Sequence, residues 1–308
     1  MPTLATKLCG VELANPVVAA AGTCGYVDEL ADALDLRAIG AVTTKSITRE
    51  CREGNAPWRI IDLPAGMMNA IGLANVGLDR FLAEKLPRAR GLPTRVIGSI
   101  AGHSVEDYLE VAAAFDAVPE LPIVELNVSC PNTADGLQFG EHPDSLRTLV
   151  AEVRPVLRNT RMLVKLSPNV GSIVAMAEAA IAAGADGLTI MNTMPAMAID
   201  VERRRSRISR ASGGLSGPAI HPIAVRMVHL VYRGVARDAR IPIVGLGGVM
   251  AWQDAAELML AGATAVGMGT ALFVDPRSPR RIRDGLAAWA GRQGVASIGE
   301  LVGAFEEG

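Results

Sequence analysis

The stretch 161–193, "RMLVKLSPNVGSIVAMAEAAIAAGADGLTIMNT", decides the fold. It opens on a short run of apolar and β-branched residues, 161–168, of strand length. A helical pattern over 172–184 follows and ends on Gly184, a residue suited to a helix C-cap. A second strand-like run, 184–193, closes the stretch. Strand, helix and strand in that order predict a βαβ unit with parallel strands.

The same alternation extends in both directions. Strand candidates precede it at 15–22, 40–46, 95–102 and 122–130, and follow it at 241–249 and 263–273. That makes eight strands. Helical patterns lie between most of them: 104–118, with Ser104 placed to cap its N-terminus, 219–236 and 252–262. Eight such units predict an α/β fold, a (β/α)8 TIM barrel, forming one domain over 1–308. A doubly wound sheet would carry a G-x-G-x-x-G turn after its first strand, and "AAGTCGYVDEL" (20–30) lacks that spacing. Two connections, 47–76 and 194–218, are long for a compact domain and are expected to be functional or mobile loops.

Composition narrows the function classes. The chain is 50% hydrophobic but only 4% aromatic, so its core must be aliphatic, as in layers of helix on parallel sheet. A net charge of −2 and a pI of about 6.1 disfavour a basic nucleic-acid face. The first sixteen residues show no basic start followed by an apolar run. The most apolar helical stretch is too short for a bilayer, so a cytoplasmic protein without a membrane segment is expected. Cys9, Cys24, Cys51 and Cys130 form no C-x-x-C pair, and no metal site is expected.

In a barrel the functional groups gather at the C-terminal ends of the strands. The unusual polar residues of this chain fall there: Thr44-Lys45-Ser46, Asn127 through Ser129-Cys130, Lys165 with Ser167, and Asn192-Thr193. Gly247, Gly248 and Gly269 follow the last two strands, where glycine lets backbone N–H groups approach an anion. These positions point to a phosphate-bearing cofactor. Lys165 inside a barrel mouth needs an anionic partner. Asn69, Asn127, Asn132 and Asn192 offer donors and acceptors to a planar ligand. Cys130, in "ELNVSCPNT" (125–133), reads equally as a packed thiol or as a general base activated by nearby ammonium groups. The arginines 203–205, 207 and 210 read first as a solvated loop.

Five motifs in order, "TTKSITRECREGNAPWR", "GMMNAIGLANVG", "NVSCPNT", "MNTMPAMAIDVE" and "GGLSGPAIHPIA", resemble the dihydroorotate dehydrogenase family, in particular the class 1B, NAD-linked catalytic subunits. The resemblance runs from about residue 5 to residue 300. It implies FMN at the top of the barrel and oxidation of dihydroorotate to orotate in pyrimidine biosynthesis. Cys130 aligns with the family's base. Lys45, Asn69, Ala70, Ile71, Gly72, Leu73, Asn127, Asn192 and Thr193 align with substrate-binding positions. Ala21, Lys45, Ser46, Ser99, Asn127, Lys165, Met191, Gly217, Gly247, Gly248, Gly269 and Thr270 align with FMN-binding positions. At Ala21, Cys24, Ser99 and Met191 the chain departs from the residues more usual in the family. The resemblance also implies a homodimer of this chain within a heterotetramer, whose second subunit carries FAD and an iron–sulfur cluster and passes electrons to NAD. A fumarate-reducing class 1A enzyme and a dihydrouridine-synthase-like flavin barrel acting on RNA are the competing expectations.

Overall fold

The computed structural model describes residues 2–129 and 139–306. All eight expected barrel strands form: β1 (Val17–Ala19), β2 (Ala41–Thr43), β3 (Arg95–Ile100), β4 (Ile123–Asn127), β5 (Arg161–Lys165), β6 (Gly187–Ile190), β7 (Ile243–Leu246) and β8 (Ala265–Met268). Each pairs in parallel with the next, and β8 pairs with β1, so the sheet closes. The connecting helices include α1 (Val105–Asp116), α2 (Pro143–Val153), α3 (Ile173–Ala182), α4 (His221–Val231), α5 (Trp252–Leu260) and α6 (Ser278–Arg292). Ser104 caps α1 as its sequence predicts, its hydroxyl accepting from the Asp107 N–H.

Side chains on a strand alternate between faces, and here the alternation separates two cores. Outward residues such as Val124, Leu126, Val164 and Leu188 pack beneath the helices. Inward residues Val18, Ile97, Ile123, Leu163, Val244 and Ala265 form the lowest layer of the barrel interior. The antiparallel hairpin Thr6–Leu8 with Val11–Leu13 presses Leu8 and Leu13 against that layer and plugs the N-terminal end. Where the sheet needs room, glycine supplies it. A Cβ on Gly98 would lie 2.6 Å from the ring of Phe115, which lies over β3 at that point.

The two long connections are not plain loops. Strands Ile60–Leu63 and Gly66–Asn69 come from the first, and Met194–Ala196 and Gly213–Ser216 from the second. They join as one four-stranded antiparallel sheet. The sequence hid it because its strands are short, half-exposed and paired across about 150 residues of chain, Met68 opposite Leu215. Arg207 and Arg210 tie the second connection to the first, donating to the Asp62 carbonyl (3.4 Å) and the Asn55 side chain (3.0 Å), while Arg203, Arg204 and Arg205 stay exposed.

Phe115 is fully buried between α1 and β3. Phe115→Ala should lower stability by about 3–5 kcal/mol. Urea unfolding should show a lower midpoint with an unchanged slope.

Candidate functional site

The strand register sets the first row of the site. Asn127 at the end of β4 lies beside Lys165 at the end of β5, and Lys165 lies beside Thr189 on β6. Period-two alternation from the inward Ile123 and Leu163 turns Glu125, Asn127 and Lys165 into the barrel. The hydrogen bond from the Thr189 hydroxyl to Glu125, at 2.8 Å, reaches across β5 and fixes the same orientation.

Above this row the polar ends connect. The Ser46 and Ser99 hydroxyls lie 2.9 Å apart. The Asn127 amide donates to the Ser46 hydroxyl at 3.3 Å, and the Asn192 amide donates to the Asn127 carbonyl oxygen at 3.3 Å. Asn192 in turn accepts from the Thr193 N–H at 2.8 Å. One chain of contacts thus links β2, β3, β4 and β6 across the mouth. Tyr108 of α1 anchors it from outside, donating to the Asn127 backbone carbonyl at 2.8 Å.

Lys45 and Lys165 enter the same space. Lys165 is only 5% exposed. Burial, and then the nearby Lys165 charge, push the Lys45 pKa below the ordinary lysine value. Among the described residues no carboxylate pairs with either ammonium. Two desolvated like charges without a partner are unfavourable by themselves and favour an anionic ligand.

The antiparallel sheet covers one side of the mouth. Asn69 donates to the Gly214 carbonyl at 3.2 Å, and Gly214 lies so close to Thr193 that an added Cβ would overlap its hydroxyl. Asn69 and Thr193, 124 positions apart in the numbering, therefore meet through Gly214. Ala70 through Leu73 follow Asn69 along the same rim. Asn55 holds them, donating its backbone N–H to the Ile71 carbonyl (3.0 Å) and its amide to the Ala70 carbonyl (2.9 Å). Leu73 takes a left-handed conformation, φ 56°, uncommon outside glycine.

Where the Gly66 and Ser216 ends of that sheet meet the turns after β7 and β8, the glycines converge. A Cβ on Gly248 would meet the Gly217 carbonyl at 2.8 Å, and one on Gly217 would meet the Gly66 Cα at 2.8 Å. Thr270, just after Gly269, donates to the Ser216 hydroxyl at 2.8 Å. This cluster of backbone without side chains is suited to an anion. Ala21 and Met191 lie at the ends of β1 and β6, and Ala21 adjoins the interior space next to Glu125 and Thr189.

Every expected site residue among the described ones is thus at one end of the barrel. Cys130 and Asn132 lie outside the described residues. Cys24 is a buried thiol pointed at the Thr43 carbonyl, and burial raises its pKa to about 12, which suits packing rather than chemistry. Two contributors carry little or no signal in the sequence. Glu125 is 4% exposed, and a carboxylate inside the apolar run "PIVELNV" was the available signal. Tyr108 sits on a helix pattern that looks like an ordinary packing face and gave none.

A family model for dihydroorotate dehydrogenase matches residues 3–289. The chain belongs to the dihydroorotate dehydrogenase family. Among its relatives, the protein from Trichlorobacter lovleyi named dihydroorotate dehydrogenase B (NAD(+)), catalytic subunit, is 45% identical, with 99% of each chain covered. One from Solibacter usitatus, named putative dihydroorotate dehydrogenase A (fumarate), is also 45% identical over 99% of each chain. A crystal structure of the Eimeria tenella enzyme of this family, in complex with ferulenol, superposes with a TM-score of 0.82, covering 99% of this chain and 89% of that one at 22% identity. That likeness shows the shared barrel. No helix among the described residues is long and apolar enough to cross a membrane.

Because burial and Lys165 disfavour charge on Lys45, the folded chain binds that proton less tightly than the unfolded chain does. The penalty is fully present below the folded pKa and fades as pH rises through it. Lys45→Met should therefore raise the urea midpoint of the flavin-free chain at pH 7. The advantage should shrink as pH climbs toward the ordinary lysine range, and a constant gap would contradict the electrostatic cause.

Proposed function

We propose that the chain is the FMN-dependent catalytic subunit of an NAD-linked dihydroorotate dehydrogenase, oxidising dihydroorotate to orotate in pyrimidine biosynthesis. The observation that carries this reading is the meeting, at one barrel end, of two ammonium groups with no carboxylate partner among the described residues, an asparagine–serine network and a glycine cradle. The residues fit FMN. Gly217, Gly247, Gly248, Gly269 and Thr270 would hold its phosphate through backbone N–H groups and a hydroxyl. Lys45, Lys165, Ser46, Ser99 and Asn127 would line its ring, with Ala21 and Met191 packing beside it. When bound, FMN supplies the acceptor for the hydride that leaves C6 of dihydroorotate.

The chain's own residues do the rest. Cys130, which aligns with the family's base, takes the proton from C5 as a general base. Asn69, Asn127, Asn192 and Thr193 orient the planar substrate by its carbonyl and N–H groups. Lys45 offers its charge to the substrate carboxylate. The segment Asn69–Leu73 and the antiparallel sheet that carries it limit water at the reacting carbons. The relatives named as catalytic subunits of an NAD(+) enzyme support a separate partner subunit on the route to NAD, and FAD and an iron–sulfur cluster on that partner are part of the same proposal. We place the chain as a homodimer within such a heterotetramer, in the cytoplasm, and as one flavin-binding barrel domain.

Two measurements test the reading. The purified chain should be yellow and should bleach on anaerobic addition of dihydroorotate. Cys130→Ser should remain yellow but bleach about 10²–10⁴-fold more slowly at neutral pH, because a hydroxyl is a far weaker base. Turnover with fumarate in the absence of any partner would favour instead the fumarate-linked reading that the Solibacter usitatus relative's name suggests.

A further inference from the structure

The glycine cradle has a support that no residue of the site itself provides. His221 opens α4 and is 9% exposed. Its Nδ1 lies 2.8 Å from the Gly247 carbonyl and its Nε2 lies 3.2 Å from a carboxylate oxygen of Glu257, on α5. It therefore links α4, the turn after β7, and α5. Its backbone is equally close to that turn. A Cβ on Gly248 would meet the His221 Cβ at 2.7 Å, and one on Gly247 would meet the Ala224 Cβ at 2.5 Å. The turn is packed closely against the first turn of α4, with no room for a side chain at either glycine.

Gly247 has φ 155° and Gly248 has φ 67°. Glycine can adopt such angles, but it can also leave them at little cost. Something must hold the 247–248 peptide in one orientation. The carbonyl of Gly247 and the N–H of Gly248 belong to one planar unit and point in opposite directions. A ring nitrogen that fixes the carbonyl on the α4 side therefore turns the Gly248 N–H away from α4. The carbonyl only accepts, so Nδ1 carries the proton in this bond. An ionised Glu257 also only accepts, and both bonds form together when both ring nitrogens are protonated.

We propose that His221 is a positioning residue of the anion cradle: by holding the Gly247 carbonyl, and being held by Glu257, it aims the Gly248 N–H at a phosphate and makes the chain prefer a phosphorylated flavin over the same flavin without phosphate. His221 does not touch the ligand. The inference rests on the flavin reading above and deepens it.

The test compares FMN with riboflavin, which share the ring and differ in the phosphate. The flavin-stripped chain is titrated with each, following quenching of flavin fluorescence. Removing one oriented hydrogen bond should weaken FMN binding by about tenfold in His221→Ala and leave riboflavin within about twofold. His221→Asn places an amide N–H near the position of Nδ1, so it should restore most of the preference. Riboflavin binding also reports whether each variant has folded. Equal losses for both flavins, no loss at all, or an Asn variant no better than Ala would overturn the proposal. If the wild-type chain bound neither flavin, the cofactor reading itself would fall, and this inference with it.

Discussion

Lys45 and Lys165 set the terms for the rest of the structure. Two ammonium groups share a partly desolvated space, and no described carboxylate neutralises them. A chain that folds this way carries an electrostatic penalty that it could remove by substituting either residue. The barrel tolerates it because β1 to β8 bury a large aliphatic core beneath the helices and a second one at the plugged end. Stability is thus concentrated away from the mouth, and the mouth is left poised for negative charge. An electron carrier that becomes more anionic on reduction, and a substrate bearing a carboxylate, are the ligands such a space favours.

The polar groups around the lysines are held more firmly than the lysines themselves. Ser99, Ser46, Asn127 and Asn192 hold one another in sequence, and Tyr108 fixes the Asn127 backbone from the helix layer. Below them, Thr189 donates to one carboxylate oxygen of Glu125 inside the barrel, where a wholly lone carboxylate would be costlier still, and the other oxygen has no hydrogen-bond partner among the described residues. The side chains that contact one another are preorganised, while the charged ends have no carboxylate partner among the described residues. The turn after β7 uses glycine for close approach and relies on α4 and α5 for rigidity. The antiparallel sheet completes the enclosure by laying Asn69 and Gly214 next to Thr193.

Much of this was legible in the chain itself. The eight strand runs and the helices between them follow from period and length, although the eighth strand, expected over 263–273, ends at Met268 and gives way to a short helix, Thr270–Val274. Lys45, Asn127, Lys165 and Asn192 were recognisable because polar residues at the ends of apolar strands are few. The glycines after β7 and β8 stood out because a missing side chain there lets backbone approach a ligand. The family resemblance, read from five ordered motifs, agrees with the matched family model.

What the sequence determined was local: which segments extend, which coil, and which residue types stand at strand ends. Such properties depend on neighbours one to four positions away, and periodicity records them. Tertiary structure alone decided the pairings across distance. The long connections became one sheet because Met68 met Leu215, a contact that no local pattern encodes. Glu125 found Thr189 across an intervening strand only once the barrel closed. His221 reached Gly247 and Glu257 only when two helices packed side by side. Each depends on a direction in space, and a linear chain carries directions only after its register and closure are set.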